Sequence, residues 1–209
     1  LMVYATPLPH LALQVPEADL AKYAGAFPEI PYDGKKGYLP HPTPRAAYAA
    51  MITRLDTDLG ALVDAVTAAG IERDTIIVFT ADNGATHDVG GVDTAFFRST
   101  GGLRGRKGSV FEGGLRVPFI AWGPGHVPAG KVLEDDAWMP DLRATIDAWC
   151  RAGAPPTDGR NLGAWIAGLA PAPPRALEGY WEFPDYGGQQ AVSFHDGVHR
   201  WKEIGRAHV

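Results

Sequence analysis

The sequence has one cysteine, Cys150, in 209 residues. That count excludes an internal disulfide and a zinc site built on cysteines. Nowhere does an apolar run approach the roughly 20 residues that a membrane-crossing helix needs. Positive charge is not in excess: 19 Lys and Arg stand against 24 Asp and Glu, a net charge of −5. The electrostatic argument for a nucleic-acid partner is therefore missing. No internal repeat is evident. Leu1 is not an initiator, so the lack of a visible signal peptide carries no information.

The composition that remains, 45% hydrophobic and 21% charged, is ordinary for a chain with a packed core. The length allows one domain, or one and a small annex. The stretch that organises the chain is Thr75 to Gly84. Thr75 to Thr80 is a run of β-branched and aromatic residues, which predicts a buried strand in a parallel sheet. It ends in Asp82-Asn83-Gly84. Open α/β sheets place ligands beyond the carboxyl ends of their strands. A carboxylate and an amide oxygen side by side there suit a hard cation. An Asx-type turn leaving a strand explains the same three residues.

Before this stretch, Met2 to Thr6 reads as a strand stopped by Pro7 and Pro9, with His10 just past its end. Pro16 to Tyr23 reads as a short helix. Residues 25–44 hold five prolines and three glycines and read as a surface loop, one rim of a cleft. Arg45 to Gly70 is the clearest helix. Tyr48, Met51, Ile52, Leu55, Leu59, Leu62, Val63 and Val66 recur at steps of three and four. Asp56 and Asp58 fall on or beside its polar face.

Beyond it, residues 84–116 carry nine glycines and read as a long loop, of the kind that is often functional. Arg104, Arg106 and Lys107 cluster within it, either as an oxyanion site or as solvated charge. Val117 to Trp122 reads as a second buried strand. Ala137 to Ala152 reads as a helix with Met139, Leu142, Ile146 and Trp149 inward and Cys150 as a small core residue. Residues 153–175 read as a linker with a short helix near Leu162 to Leu169. Gly179 to Phe183, Gln190 to Phe194 and a strand opening at Arg200-Trp201 predict an antiparallel annex. Glu203 to Val209 reads as a tail foreign to the fold.

Three separated segments carry a resemblance to a known family. Thr80-Ala81-Asp82-Asn83-Gly84, Leu103-Arg104-Gly105-Arg106-Lys107 and Phe111-Glu112-Gly113-Gly114-Leu115-Arg116-Val117-Pro118 occur in that order. Pro9-His10 lies upstream, and Trp201-Lys202 closes the annex. In this order the motifs resemble the second half of an arylsulfatase-type sulfatase, in the alkaline-phosphatase-like superfamily. The resemblance spans nearly all of residues 1–202.

It implies an α/β fold: a mixed or parallel sheet flanked by helices over residues 1–168, with a C-terminal antiparallel subdomain over 169–202; residues 203–209, the tail read as foreign, fall outside it. It implies hydrolysis of sulfate esters with Ca²⁺, Mg²⁺ being the second choice, and with Asp82 and Asn83 among the metal ligands. Lys107 and His10 take catalytic and sulfate-binding roles, and His87 is a further substrate contact. Without the resemblance, His10 reads as a surface histidine at a strand end; for His87, three residues past Gly84, a surface histidine is an equal alternative to the substrate contact. Arg104 and Arg106 are structural or rim charges, and Arg116 pairs with an acid such as Glu112.

The family's nucleophile is a formylglycine made from the first residue of a Cys/Ser-x-Pro/Ala-x-Arg signature. Cys150 is followed by Arg151-Ala152-Gly153-Ala154 and does not fit it. The chain is therefore expected to be a fragment that is inactive alone, with the nucleophile upstream. A sulfated small molecule or sugar is the expected partner, without nucleic acid or a membrane span. A periplasmic or secreted location is implied by resemblance only. Two alternatives stay open. One is a phosphonate or phosphate ester hydrolase of the same superfamily. The other is a non-catalytic sulfatase-like binding domain.

Overall fold

The structure is a computed structural model and describes residues 1–153, 155–174, 179–195 and 199–206. In chain order the elements begin with α1 (Glu17–Leu20), continued by a 3-10 turn at Ala21–Tyr23, and α2 (Pro44–Ala68). A 3-10 turn at Glu72–Asp74 leads to β1 (Ile77–Thr80). Then come α3 (Glu112–Leu115), β2 (Phe119–Trp122), α4 (Met139–Trp149) and α5 (Gly163–Ile166). The C-terminal part holds β3 (Gly179–Phe183), α6 (Asp185–Gly188), β4 (Gln189–His195) and β5 (Arg200–Arg206). Among the described residues no helix is long and apolar enough to cross a membrane.

The strand at Thr75–Thr80 forms over Ile77–Thr80, but it is neither parallel nor fully buried. β1 pairs antiparallel with β2, Ile77 opposite Trp122 and Thr80 opposite Phe119, and all four of its residues are half-buried. The chain between the strands doubles back instead of crossing over, and Ile120 is 58% exposed. The expected buried strand at 117–122 is thus present, but its first two residues, Phe119 and Ile120, are exposed. Met2 to Thr6 is not a strand: among the described residues it has no ladder partner, and it is largely exposed, Met2 at 72% and Val3 at 78%. A strand pattern without a neighbour satisfies no backbone groups.

α2 matches its periodicity, yet only its first half is enclosed, through Pro44, Ala46, Ala47, Ala50 and Met51. Its free N-terminal amides are capped from a distance: Glu29 accepts from Arg45 N at 3.0 Å and Ala46 N at 2.8 Å. Leu13, Ala47, Met51 and Val92 form the first core cluster, with Leu8 and Leu11 against it.

α4 differs from its expected inward set. Its deeply buried side chains are Asp141 and Thr145, while Met139 is 46% exposed and Cys150 is exposed at the helix end. The polar side can be buried because Arg160 neutralises Asp141 at 3.0 Å and Thr145 Oγ1 accepts from Leu162 N at 2.9 Å. Residues 155–174 do not behave as a linker. Leu162, Trp165 and Ile166 make a second core cluster with Leu133 and Trp149.

The annex forms as the turn pattern predicts, an antiparallel sheet in the order β3-β4-β5. β5 continues to Arg206, opposite Gln189, into the stretch read as a foreign tail. Residues 207–209 of that stretch lie outside the described residues.

Candidate active site

Two loops of glycine-rich chain meet at the end of β1, and they meet backbone to backbone. Gly84 N donates to Gly114 O at 2.9 Å, and Lys107 N donates to Ala85 O at 2.8 Å. A Cβ on Gly84 would lie 2.0 Å from Gly113 O, and one on Gly113 would lie 2.1 Å from Gly105 O. No side chain fits at either position, which gives a physical reason for glycine in both the Asp-Asn-Gly and Glu-Gly-Gly segments. The docking brings the Lys107 segment up against the segment that carries Asp82 and Asn83.

His10 arrives from the opposite end of the sequence. Leu8 and Leu11, on either side of it, pack on the α2 core cluster, and His10 N donates to Pro7 O at 2.7 Å. The exposed ring then points two ways. Nδ1 is 2.7 Å from Leu11 O, and Nε2 is 3.3 Å from Lys107 Nζ. A carbonyl can only accept and an ammonium can only donate. Nδ1 therefore carries the proton, and Nε2 presents its lone pair to Lys107.

Asp82 is exposed and Asn83 half-buried. Among the described residues neither side chain is engaged in a hydrogen bond or ion pair, so both oxygens are uncommitted. Thr80 Oγ1, at the end of the same strand, is buried without a hydrogen-bond partner there. Unspent oxygen donors fit a hard cation such as Ca²⁺. They do not complete a site: no group of three or more His, Cys, Asp or Glu able to hold a metal occurs among the described residues.

His87 lines a cavity of about 500 Å³ with Thr100, Leu103, Arg106, Lys107 and Ser109. Polar groups of His87, Thr100, Arg106, Lys107 and Ser109 share its wall with the Leu103 side chain and glycine backbone. Arg106 is held by an ion pair to Asp88, whose other oxygen accepts from Thr94 N at 3.0 Å and Thr94 Oγ1 at 2.6 Å. Burial pushes the Asp88 carboxyl up, but the Thr94 and Arg106 bonds outweigh it and hold the group below its ordinary value. Arg104 stacks over the Phe111 ring at 4.0 Å. Glu112 pairs with Lys202, not with Arg116. The sequence reading missed Asp88, Gln189 and the docking role of Lys202. Nothing local marks them, because the partners that give them their role, Arg106 for Asp88, Val110 for Gln189 and Glu112 for Lys202, lie 18 to 90 residues away.

The model of the Sulfatase family matches residues 1–146. The chain belongs to the sulfatase family. Among curated relatives it is 34% identical over 143 residues to arylsulfatase A of Bos taurus, covering 68% of this chain and 27% of that protein. It is 29% identical over 160 residues to steryl-sulfatase of Mus musculus, 75% of this chain and 25% of that protein. The chain thus spans about a quarter of the length of these sulfatases. Among solved structures it resembles Ps i-CgsB in complex with k-i-k-neocarrahexaose, with a TM-score of 0.66 and 26% identity over 94% of this chain and 41% of that one. PsFucS1 sulfatase from Pseudoalteromonas sp. shares the fold at a TM-score of 0.54, 23% identity and 78% coverage of this chain. These structural neighbours and the mixed helix and strand content fit an α/β fold. Within the described residues the strands form two small antiparallel sheets.

Proposed function

We propose that this chain supplies the cation-facing and sulfate-facing part of a sulfate-ester hydrolase site. The observation that carries it is the contact of His10 Nε2 with Lys107 Nζ at 3.3 Å, on a segment docked against the loop of Asp82 and Asn83. Lys107 meets the negative sulfate oxygens and offsets charge that builds as the ester bond breaks. The departing oxygen needs a proton. Lys107 Nζ holds one in the geometry described, and His10 Nε2 supplies one only after taking a second proton. Asp82 and Asn83 contribute two oxygen donors to a divalent cation, Ca²⁺ before Mg²⁺, with the other ligands coming from elsewhere. Such a cation supplies Lewis-acid polarisation of a bound oxygen.

No Cys/Ser-x-Pro/Ala-x-Arg segment occurs in the 209 residues. The nucleophile in this reading lies outside them, and these residues alone do not turn over substrate. The substrate we propose is a sulfated saccharide. The cavity beside Lys107 offers hydroxyls, cationic groups, the His87 imidazole and backbone, hydrogen-bonding groups that suit a polyhydroxylated ligand. Ps i-CgsB, the neighbour at a TM-score of 0.66, is itself in complex with a neocarrahexaose.

The test is a hydrolysis assay on the intact protein that carries this chain, offered a sulfated oligosaccharide, an aryl sulfate and a phosphate monoester. The expected result is sulfate release with the highest kcat/KM on the saccharide. Preferential phosphate release overturns the sulfate reading. Preference for the aryl ester overturns the saccharide alone.

A further inference from the structure

Lys107 sits in a segment that is closed on itself: Gly113 N donates to Arg104 O at 2.7 Å and Ser109 N to Arg106 O at 3.0 Å. One side of the segment rests on Gly84 and Ala85. The other side faces the C-terminal sheet, and there the contacts converge on Val110, which is 1% exposed. Val110 N donates to Gln189 Oε1 at 3.1 Å. Val110 O lies 3.5 Å from Lys202 Nζ. The same ammonium pairs with Glu112 and lies 4.6 Å over the Trp181 ring. Trp181 belongs to β3, Gln189 to β4 and Lys202 to β5, so every strand of the sheet contributes one residue.

We propose that this sheet is a positioning clamp for Lys107, with Lys202 and Gln189 as its working residues. A buried backbone amide and carbonyl must find partners, and Val110 has no room for water to supply them. The segment also carries Gly105, Gly108, Gly113 and Gly114, whose backbones would otherwise be free to wander. Lys107 is three residues from the clamped position. Releasing Val110 lets Lys107 drift from His10, and a displacement of about 1 Å in a reacting group can cost on the order of 100-fold in rate. The residues act through Lys107 and do not touch substrate.

The kinetic consequence rests on the sulfate-ester reading above; the anchoring itself does not. Two measurements on the intact protein therefore test it. In the first, hydrogen exchange is followed in Lys202→Met and Gln189→Leu. Exchange across residues 105–113 is expected to quicken at least about tenfold while α2 stays protected. Unchanged exchange at 105–113 overturns the clamp, whatever the substrate. So does equal loss of protection in α2, because that is general destabilisation.

In the second, Lys202→Met is expected to lower kcat on a sulfate ester by about 10- to 100-fold with a smaller change in KM, and Lys202→Arg to recover most of it. In a Lys107→Ala background Lys202→Met is expected to add nothing, since the two act as a unit. Additive losses, or a normal kcat with quickened exchange, overturn the positioning role. A wild-type protein without sulfate-ester turnover would defeat the functional reading and leave the exchange experiment to decide the clamp.

Discussion

Lys107 donates its ammonium proton to His10 Nε2 across 3.3 Å, although 97 residues separate the two in sequence. Leu11 O fixes this polarity by accepting a hydrogen bond from Nδ1–H at 2.7 Å. Lys107→Ala and His10→Ala are each expected to lower sulfate-ester turnover about 10²- to 10⁴-fold, the usual range for lost acid–base or electrostatic assistance. The loss should be larger for sugar sulfates, whose alkoxide needs a proton to leave, than for nitrophenyl sulfate, whose leaving group is stable as an anion. Steady-state rates on both esters check this. Near-normal rates in both variants would remove the roles assigned to them.

Gly84 and Gly113 touch opposing backbone, so a methyl group at either site cannot be absorbed by moving a side chain. Gly84→Ala and Gly113→Ala are each expected to cost at least the roughly 1–3 kcal/mol typical of overpacking. They should also lower turnover more than their stability loss explains, because the displaced segment carries Lys107. Denaturant titration together with kcat at a temperature where the variants stay folded separates the two effects.

Asp141 is the buried carboxylate on which α4 and the Arg160 segment close. Burial pushes its pKa up, but the Arg160 side chain and amide and the Trp138 amide more than compensate, leaving it below the ordinary value. A depressed folded pKa means stabilisation that is complete above the unfolded value, about 3.9, and is lost as pH falls through the folded one. Asp141→Asn leaves Arg160 without its counter-charge and is expected to cost about 3–5 kcal/mol near neutrality. Below about pH 4 the gap between variant and wild type should narrow as the wild-type carboxylate protonates. Urea midpoints measured from pH 7 down to pH 3 give the answer; a gap that stays constant would contradict it.

Asp82 and Asn83 are two donors where Ca²⁺ takes about six to eight oxygens. In the intact protein, Asp82→Ala is expected to weaken Ca²⁺ binding by more than about tenfold, since even changes behind the ligands reach 10- to 100-fold. Asn83→Ala, which removes a neutral oxygen, should do less. Calorimetric titration of the metal-stripped protein reads this without any substrate. Equal Ca²⁺ affinity in Asp82→Ala and wild type would assign these residues to a turn.

Much of this was legible from local pattern. The three- and four-residue steps from Tyr48 to Val66 specify a helix because one helical face repeats at that spacing. The β-branched runs before Asp82 and Gly123, and those around residues 184–188, specify strands for the same kind of reason. The order of Asp-Asn-Gly, Lys107 and Glu-Gly-Gly was enough to point to the sulfatase family.

The partners of those elements were not legible. Met2 to Thr6 has a strand's residues and, among the described residues, no strand beside it. β1 has the residues of a buried strand, yet it lies antiparallel to β2 and half-open. Cys150 looked like a core residue and emerged at a helix end, because Asp141 and Thr145 took the inner side once Arg160 was there to neutralise them. Side-chain period and turn chemistry act over a few residues, and these the sequence by itself determined. Only the tertiary structure decided that His10 meets Lys107, that Gly84 meets Gly113, and that Val110 is held by Gln189 and Lys202. Those contacts join residues 29 to 97 positions apart, and no local preference encodes them.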